Sequence, residues 1–234
     1  MSNVVSASSH ITHLIGSQST KTILHNTQQI KISLVDTLQE DAPSQFAIYP
    51  CDSFIFVIEG QLFLRTTDEE NTLKAHQGSW LHYQNSCQTV TLSAHAKYLV
   101  FEVKKQLTDS ETQMIKVANG QAQKHKDKDG LLHWTLSESH ASRFEMLFFP
   151  PNYKSARHYF KNSSQFLYGL GKHGHAVQLN NEKNAPADIP DFGIFLNTKE
   201  SFSFINPKKS SIPVLRVFTP PPKSGRVFVL KKQD

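Results

Sequence analysis

The sequence predicts an all-β protein made of two tandem β-barrels. One observation is a series of short runs of β-branched and aromatic residues, such as residues 54–58, bounded by Gly, Pro, Asn, Asp and Ser. Such runs are typical of a sandwich or barrel. The chain of 234 residues is also long enough for two barrels of about 100 residues each. Finally, the same order of features returns after a polar stretch, which indicates a duplication.

Five segments follow from this pattern. The first is rich in Ser, Thr, His and Asn and predicts an arm or an edge strand. Between the barrels, a polar linker includes residues 109–117, which could form a short helix capped by Asp109 or Ser110. The last segment has strand character and could add to a sheet edge in its own or another subunit. The predicted bounds are 1–26 (arm), 27–106 (first barrel), 107–130 (linker), 131–222 (second barrel) and 223–234 (tail strand).

The proposed duplication rests on residues that recur at similar offsets. Most of the extra length of the second copy falls between Pro150 and Gln165. The alternative is a chance similarity between two β-rich halves. The paired residues are Pro50 with Pro150, Gly78 with Gly193, and Val100 with Val217.

Charge and composition exclude some classes of function. The net charge of +5 comes from Lys and Arg spread along the chain, and in residues 124–129 two aspartates offset two of the three lysines. We therefore expect no nucleic-acid partner. No apolar run reaches the roughly 18 residues of a membrane span, and the N-terminus lacks the order of a secretory signal. The sequence thus predicts a cytoplasmic protein without a membrane partner.

Two cysteines, Cys51 and Cys87, are too few for a disulfide scaffold and too far apart in sequence for a CxxC zinc motif. Reduced thiols are the simplest expectation. Alternatively, the two thiols could meet and form a disulfide, or a soft metal site with His82.

The apolar run 54–58, the turn at Glu59 and Gly60, and the later Gly78 resemble the cupin superfamily. In the second half, residues 165–171 and 192–194 are a weaker version of the same pattern. The resemblance covers residues 30–105 and 131–222 and implies a bicupin, two tandem jelly-roll barrels. It also implies that such sheets pair, so a homodimer is one expectation.

The resemblance further implies a metal centre, built from a motif His-x-His-x(3,4)-Glu and a further His in a second motif. Imidazoles and a carboxylate on neighbouring strands can hold a divalent ion with positions open for substrate. In the first barrel, Ser53 stands in the place of the Glu, His82 comes too early, and Gln88 or Thr89 falls where the last His should be. We therefore expect no usual metal site there.

In the second barrel, His158 matches the first motif, but Phe160 replaces the second His and Gln165 replaces the Glu. Residues 201–206 contain no His for the second motif. The expectation is therefore a barrel without a metal cofactor. The alternative is a rebuilt site for Fe, Mn, Ni or Zn that uses His158 and Gln165 together with His173 and His175.

A ligand pocket that needs no metal is the preferred hypothesis for the second barrel. A planar guanidinium and aromatic rings suit an anionic or sugar-like small molecule. The alternative is an ordinary strand face, with Arg157 in solvent and Tyr159 in the core. The candidate ligand-binding residues are Arg157, His158, Tyr159, Gln165 and Tyr168.

The sequence thus favours a bicupin that binds a small molecule over a bicupin enzyme. A second reading is a metal-dependent dioxygenase or isomerase that works from the second barrel. A third is a sensor or structural module that forms a dimer, to which the tail strand could contribute.

Overall fold

The computed structural model describes residues 10–83, 85–108, 122–171, 177–180 and 187–229. Within these ranges the regular elements are all β-strands, so the all-β prediction is confirmed. Residues 109–117, for which a helix is predicted, lie outside the described residues. The described part of the chain contains no helix long and apolar enough to cross a membrane. It divides into two compact units, 10–122 and 123–229.

The first unit contains two antiparallel sheets. A six-stranded sheet has the order β1-β2-β3-β10-β5-β8, and a four-stranded sheet has the order β4-β9-β6-β7. The strands among its described residues are β1 (Ile11–Leu14), β2 (Thr20–Asn26), β3 (Ile30–Leu38), β4 (Ser44–Ile48), β5 (Ser53–Glu59), β6 (Gln61–Arg65), β7 (Glu70–Lys74), β8 (Gly78–Leu81), β9 (Ser86–Thr91) and β10 (His95–Val103).

The second unit repeats this plan. Its six-stranded sheet has the order β11-β12-β13-β20-β15-β18, and smaller sheets have the orders β17-β16-β19 and β14-β21. The strands among its described residues are β11 (Gln123–Lys126), β12 (Leu132–Glu138), β13 (Arg143–Phe149), β14 (His158–Tyr159), β15 (Ser164–Gly169), β16 (Gln178–Asn180), β17 (Ala187–Asp188), β18 (Ile194–Leu196), β19 (Ser203–Ile205), β20 (Ile212–Thr219) and β21 (Val227–Phe228).

Each unit encloses an apolar core between its sheets. In the first unit, Ile55 and Val100 of the six-stranded sheet belong to the same buried cluster as Leu62 and Leu64 of the four-stranded sheet. Alternate residues of a strand point to opposite faces, so these four define the inward faces of their strands. In the second unit, the corresponding cluster includes Leu167 of β15 and Phe204 of β19.

The two units correspond strand by strand in their six-stranded sheets, which confirms the tandem repeat. Gly78 and Gly193 occupy equivalent positions. A Cβ would lie 2.4 Å from the Phe54 ring at Gly78 and 2.6 Å from the Phe166 ring at Gly193. The pairing of Pro50 with Pro150 is wrong, because one residue follows β4 whereas the other follows β13, the counterpart of β3. The expected extra length after Pro150 is also wrong, because 14 residues separate β3 from β5 and 14 separate β13 from β15. The pairing of Val100 with Val217 is wrong by one residue, because Val217 lies opposite Phe166, the counterpart of Phe54, whereas Val100 lies opposite Ile55.

The predicted linker contains a strand. β11 pairs with β12 and forms the edge of the second six-stranded sheet, within the range 107–130. All four residues of β11 are exposed, so they carry none of the apolar alternation from which the other strands are predicted.

The tail strand pairs within its own unit. In β21, Phe228 lies opposite His158 and Val227 opposite Tyr159 of β14. The Val229 amide also donates to the Arg157 carbonyl oxygen at 3.0 Å. The described part of the tail thus adds to a strand of its own chain.

Candidate functional site

The interior of the second barrel holds Gln165. On β15, Gln165 lies opposite Phe218 of β20 and Leu196 of β18. Residues directly opposite each other on antiparallel strands share one face of the sheet. Phe218 and Leu196 belong to the buried core, so the Gln165 side chain points into the barrel.

His158 reaches the same interior from β14. Its ring centroid lies 4.6 Å from that of Phe202, 5.9 Å from Phe160 and 6.1 Å from Phe204. The Phe160 ring in turn lies 4.9 Å from the Phe218 ring. The imidazole, 1% exposed, is therefore surrounded by aromatic side chains of the core.

The hydrogen bonding of His158 determines which ring nitrogen carries the proton. Nδ1 lies 2.9 Å from the carbonyl oxygen of Ala156, which can only accept, so Nδ1–H is the donor. Burial, opposed in part by this bond, lowers the pKa of His158 to about 4. The ring is therefore neutral at pH 7, and Nε2 offers a lone pair.

We expect the protonation of His158 Nε2 to make the free energy of unfolding depend on pH. The folded-state pKa lies below the unfolded value near 6.5, so the contribution of His158 is complete above pH 6.5 and is lost as pH falls toward 4. The loss should be about 3 kcal/mol. Urea unfolding of wild type and His158→Phe between pH 7 and pH 4 measures it. The variant should lose less stability over that range, and parallel curves would contradict the assignment.

Two buried acceptor atoms define the candidate site. His158 Nε2 and Gln165 Oε1 are both buried, and neither has a hydrogen-bond partner among the described residues. An unpaired buried polar atom costs about 1–3 kcal/mol, so such atoms call for a partner that the described residues do not supply. Both atoms accept rather than donate. We call His158 and Gln165 the acceptor pair.

A buried charge cluster lies on the same inward face, formed by His133, Arg143, Glu145 and Arg216. Arg216 Nε donates to Glu145 Oε2 at 3.0 Å, and Arg143 Nε lies 2.7 Å from Glu145 Oε1. Arg216 Nη2 donates to His133 Nδ1 at 3.2 Å. Burial raises the pKa of Glu145, but the neighbouring Arg216, His133 and Arg143 outweigh it and lower the pKa to about 2.

Arg216 connects this charge cluster to the surroundings of the acceptor pair. Its guanidinium lies 4.6 Å from the centroid of the Phe218 ring and 5.9 Å from that of Phe160. Its positive charge helps to keep His158 neutral. Because Arg216 is already matched by Glu145, the site has no free cation from this pair to offer to an anionic ligand.

Sequence reasoning missed the charge cluster. Glu145 and Arg216 stand in the apolar strands β13 and β20, where each is flanked by buried hydrophobic residues. The one available signal is a charged residue at an inward position of a predicted central strand, which is rarely buried unless paired. Without the register, the partner of Glu145 cannot be named.

The structure does not bring the five predicted ligand-binding residues together. Tyr168 lies opposite Leu215 and next to Phe166, on the face of β15 that Gln165 does not share. Tyr159 follows the inward-pointing His158 on β14, so it points the other way, and Arg157 is half-buried. The predicted pocket is thus reduced to His158 and Gln165.

The described residues do not provide a complete set of ligands for the alternative metal site. His173 and His175 lie outside the described residues. Within the described ranges, no group of three His, Cys, Asp or Glu side chains could hold a metal ion. One imidazole and one neutral amide do not make up a divalent site, so the described members of the predicted set do not fit such an ion by themselves.

The cysteines of the first unit are both free. Burial raises the pKa of the Cys51 thiol and of the Cys87 thiol to about 11 in each case. The thiolate is the reactive and metal-binding form, so both residues are protonated at neutral pH.

Comparison with known proteins gives no sequence relative but clear structural ones. No family model matches the chain, and no curated protein matches it. Among solved structures, AerE from Microcystis aeruginosa superposes with a TM-score of 0.72 at 14% identity, over 90% of this chain and 96% of that one. Oxalate decarboxylase from Lactobacillus farciminis, a bicupin, gives 0.66 at 9% identity, over 95% and 87%. The chain has the cupin fold, in its bicupin form.

Bicupins of different roles share this architecture. Vicilin from Corylus avellana matches with a TM-score of 0.68 at 5% identity, over 95% of this chain and 86% of that one. A Bacillus subtilis oxalate decarboxylase in the same set contains Mn(II) centres. At these identities the likeness establishes the bicupin fold alone, because one fold hosts many functions.

Proposed function

We propose that this bicupin binds a small, uncharged, hydroxylated molecule, such as a sugar, inside its second barrel. The proposal depends chiefly on the acceptor pair, His158 Nε2 and Gln165 Oε1, which are buried and have no partner among the described residues. Hydroxyl groups of a ligand would donate to both atoms and remove the cost of leaving them unpaired.

The surroundings of the acceptor pair favour the same class of ligand. Phe160, Phe202 and Phe218 provide aromatic surface around the polar atoms. An apolar wall with a few convergent polar groups is typical of small-molecule sites. Of the two predicted ligand classes, sugar-like and anionic, two lone pairs favour the sugar-like one, because an anion would be repelled by both acceptors.

Titration with simple sugars tests the proposal. Glucose, galactose, mannose and myo-inositol would be screened by thermal shift, and each binder would be measured by isothermal titration calorimetry. We expect at least one binder, with an affinity that falls about tenfold or more in His158→Phe and in Gln165→Leu, because each variant removes one acceptor.

The matched control is Tyr159→Phe, which alters the neighbouring residue on the opposite face of β14 and should leave the affinity unchanged. A binder that tolerates both acceptor variants would place the site elsewhere. If no sugar in the panel binds, the proposed ligand class is rejected.

Metal-dependent catalysis is the second candidate, since the Bacillus subtilis oxalate decarboxylase, a structural neighbour, holds Mn(II). Elemental analysis of protein purified without chelator or tag-derived metal separates it from the first. Near-stoichiometric Fe, Mn, Ni or Zn that is lost in His158→Ala would favour this candidate. A metal content unchanged by the variant would count against it.

A further inference from the structure

The first barrel contains a cluster of polar side chains on the inward face of β3 and β10. Lys31 lies opposite Glu102, and its Nζ is 3.0 Å from Glu102 Oε1. Ser33, two residues further along β3, lies opposite Val100, a member of the buried core. Ser33 is 0% exposed, and its Oγ has no hydrogen-bond partner among the described residues.

A second lysine approaches the same place from β2. Lys21 lies opposite Val35, which is also a member of the core, so its side chain is on the inward side of the sheet. It is half-buried. Burial lowers its pKa, Glu102 raises it and Lys31 lowers it, so both charges are within electrostatic range of Lys21.

The charges of this group do not balance. Two ammonium groups, on Lys21 and Lys31, face one carboxylate, that of Glu102. The charges that act on Lys21 are those of Glu102 and Lys31, and Asp52 is not one of them. One positive charge therefore remains on the face of the sheet that carries the unpaired hydroxyl of Ser33.

The second barrel shows what occupies the equivalent place. There, His133 lies opposite Leu147, just as Lys21 lies opposite Val35, so His133 corresponds to Lys21. Glu145 comes two residues before Leu147, and Ser33 comes two residues before Val35, so Glu145 corresponds to Ser33. Arg143 likewise corresponds to Lys31. In the second barrel the carboxylate between the nitrogen groups is supplied by Glu145.

We propose that the first barrel binds a small carboxylate anion from solution at the position that Glu145 fills in the second barrel. Lys21 and Lys31 hold its oxygens, and the Ser33 hydroxyl donates to it. Charge-assisted hydrogen bonds of this kind are about twice as strong as neutral ones. The site is independent of the acceptor pair in the second barrel.

Calorimetry with acetate and malonate tests the site, at constant ionic strength and with acetamide as the uncharged probe. We expect an affinity in roughly the millimolar range for at least one anion and none for acetamide. Lys21→Met should weaken binding about tenfold. Lys74→Met removes the same charge from an exposed position on β7 and should leave the affinity unchanged.

A second variant, Ser33→Glu, supplies the carboxylate from the chain itself, as Glu145 does. It should abolish acetate binding, and its apparent melting temperature should no longer respond to acetate. An affinity that is unchanged in Lys21→Met, equal binding of acetamide, or no binding of either anion by the wild type would each overturn the proposal. None of these outcomes bears on the sugar titrations, which report on His158 and Gln165.

Discussion

Replacement of Arg216 by Val should destabilise the second unit by about 3 kcal/mol, because it leaves the buried Glu145 without its closest partner. Arg143 is itself partly exposed, so it compensates only in part. Denaturant unfolding at pH 7 measures the loss. In the wild type, the depressed pKa of Glu145 contributes stability above pH 4.5, which is lost as pH falls toward 2. Arg216→Val should remove much of this acid dependence.

The matched control is the double variant Glu145→Ser with Arg216→Val. It introduces the residues that the first barrel has at the equivalent positions, Ser33 and Val100. Removal of both members of a buried pair is often nearly neutral, whereas removal of one is costly. The double variant should therefore be more stable than Arg216→Val alone. Simple addition of two single losses would contradict a coupled pair.

Replacement of Gly60 by Ala should destabilise the first unit by about 3 kcal/mol. Gly60 joins β5 to β6 with φ of +79°, a region that L side chains rarely adopt. A Cβ there would also lie 2.2 Å from the carbonyl oxygen of His95, a backbone atom that cannot rotate away. Conformational strain and steric conflict therefore both contribute to the loss of stability in Gly60→Ala.

Gly130→Ala is the control that separates these two effects. Its φ is +90°, but the nearest atom to a Cβ is in Pro150, at 3.9 Å. Strain alone should cost about 1 kcal/mol. Fluorescence of Trp80 in a Trp134→Phe background reports on the first unit, and Trp134 in a Trp80→Phe background reports on the second. Equal losses in the two alanine variants would show that the contact with His95 contributes nothing.

Much of the fold could be predicted because local sequence patterns identify its strands. The run 54–58 is buried and central, and it ends at the turn that the resemblance implies, where Gly60 has a positive φ. Gly78 and Gly193 mark equivalent places since both are packed against aromatic rings. β11 could not be predicted, because an exposed edge strand has no apolar alternation.

Only those features of the candidate site that depend on the sequence of a single strand could be predicted. His158 and Gln165 could be identified by their places in a motif, and both lie inside the barrel. Tyr159 and Tyr168 could not be assigned to a face, since a shift of one residue reverses the direction of every side chain. The partnership of Glu145 with Arg216 depends on the pairing of β13 with β20, strands 71 residues apart in sequence at this contact.

The pairing of β21 with β14 has a consequence for assembly. The tail is held by two register pairs and by the ion pair of Arg226 with Asp127, at 2.6 Å. If two copies exchanged their tails, each would make the same contacts with the other that it makes with itself. Such a domain-swapped dimer gains no new surface, so its balance with the monomer is set by concentration and by strain in residues 220–226. These seven residues span at most about 25 Å.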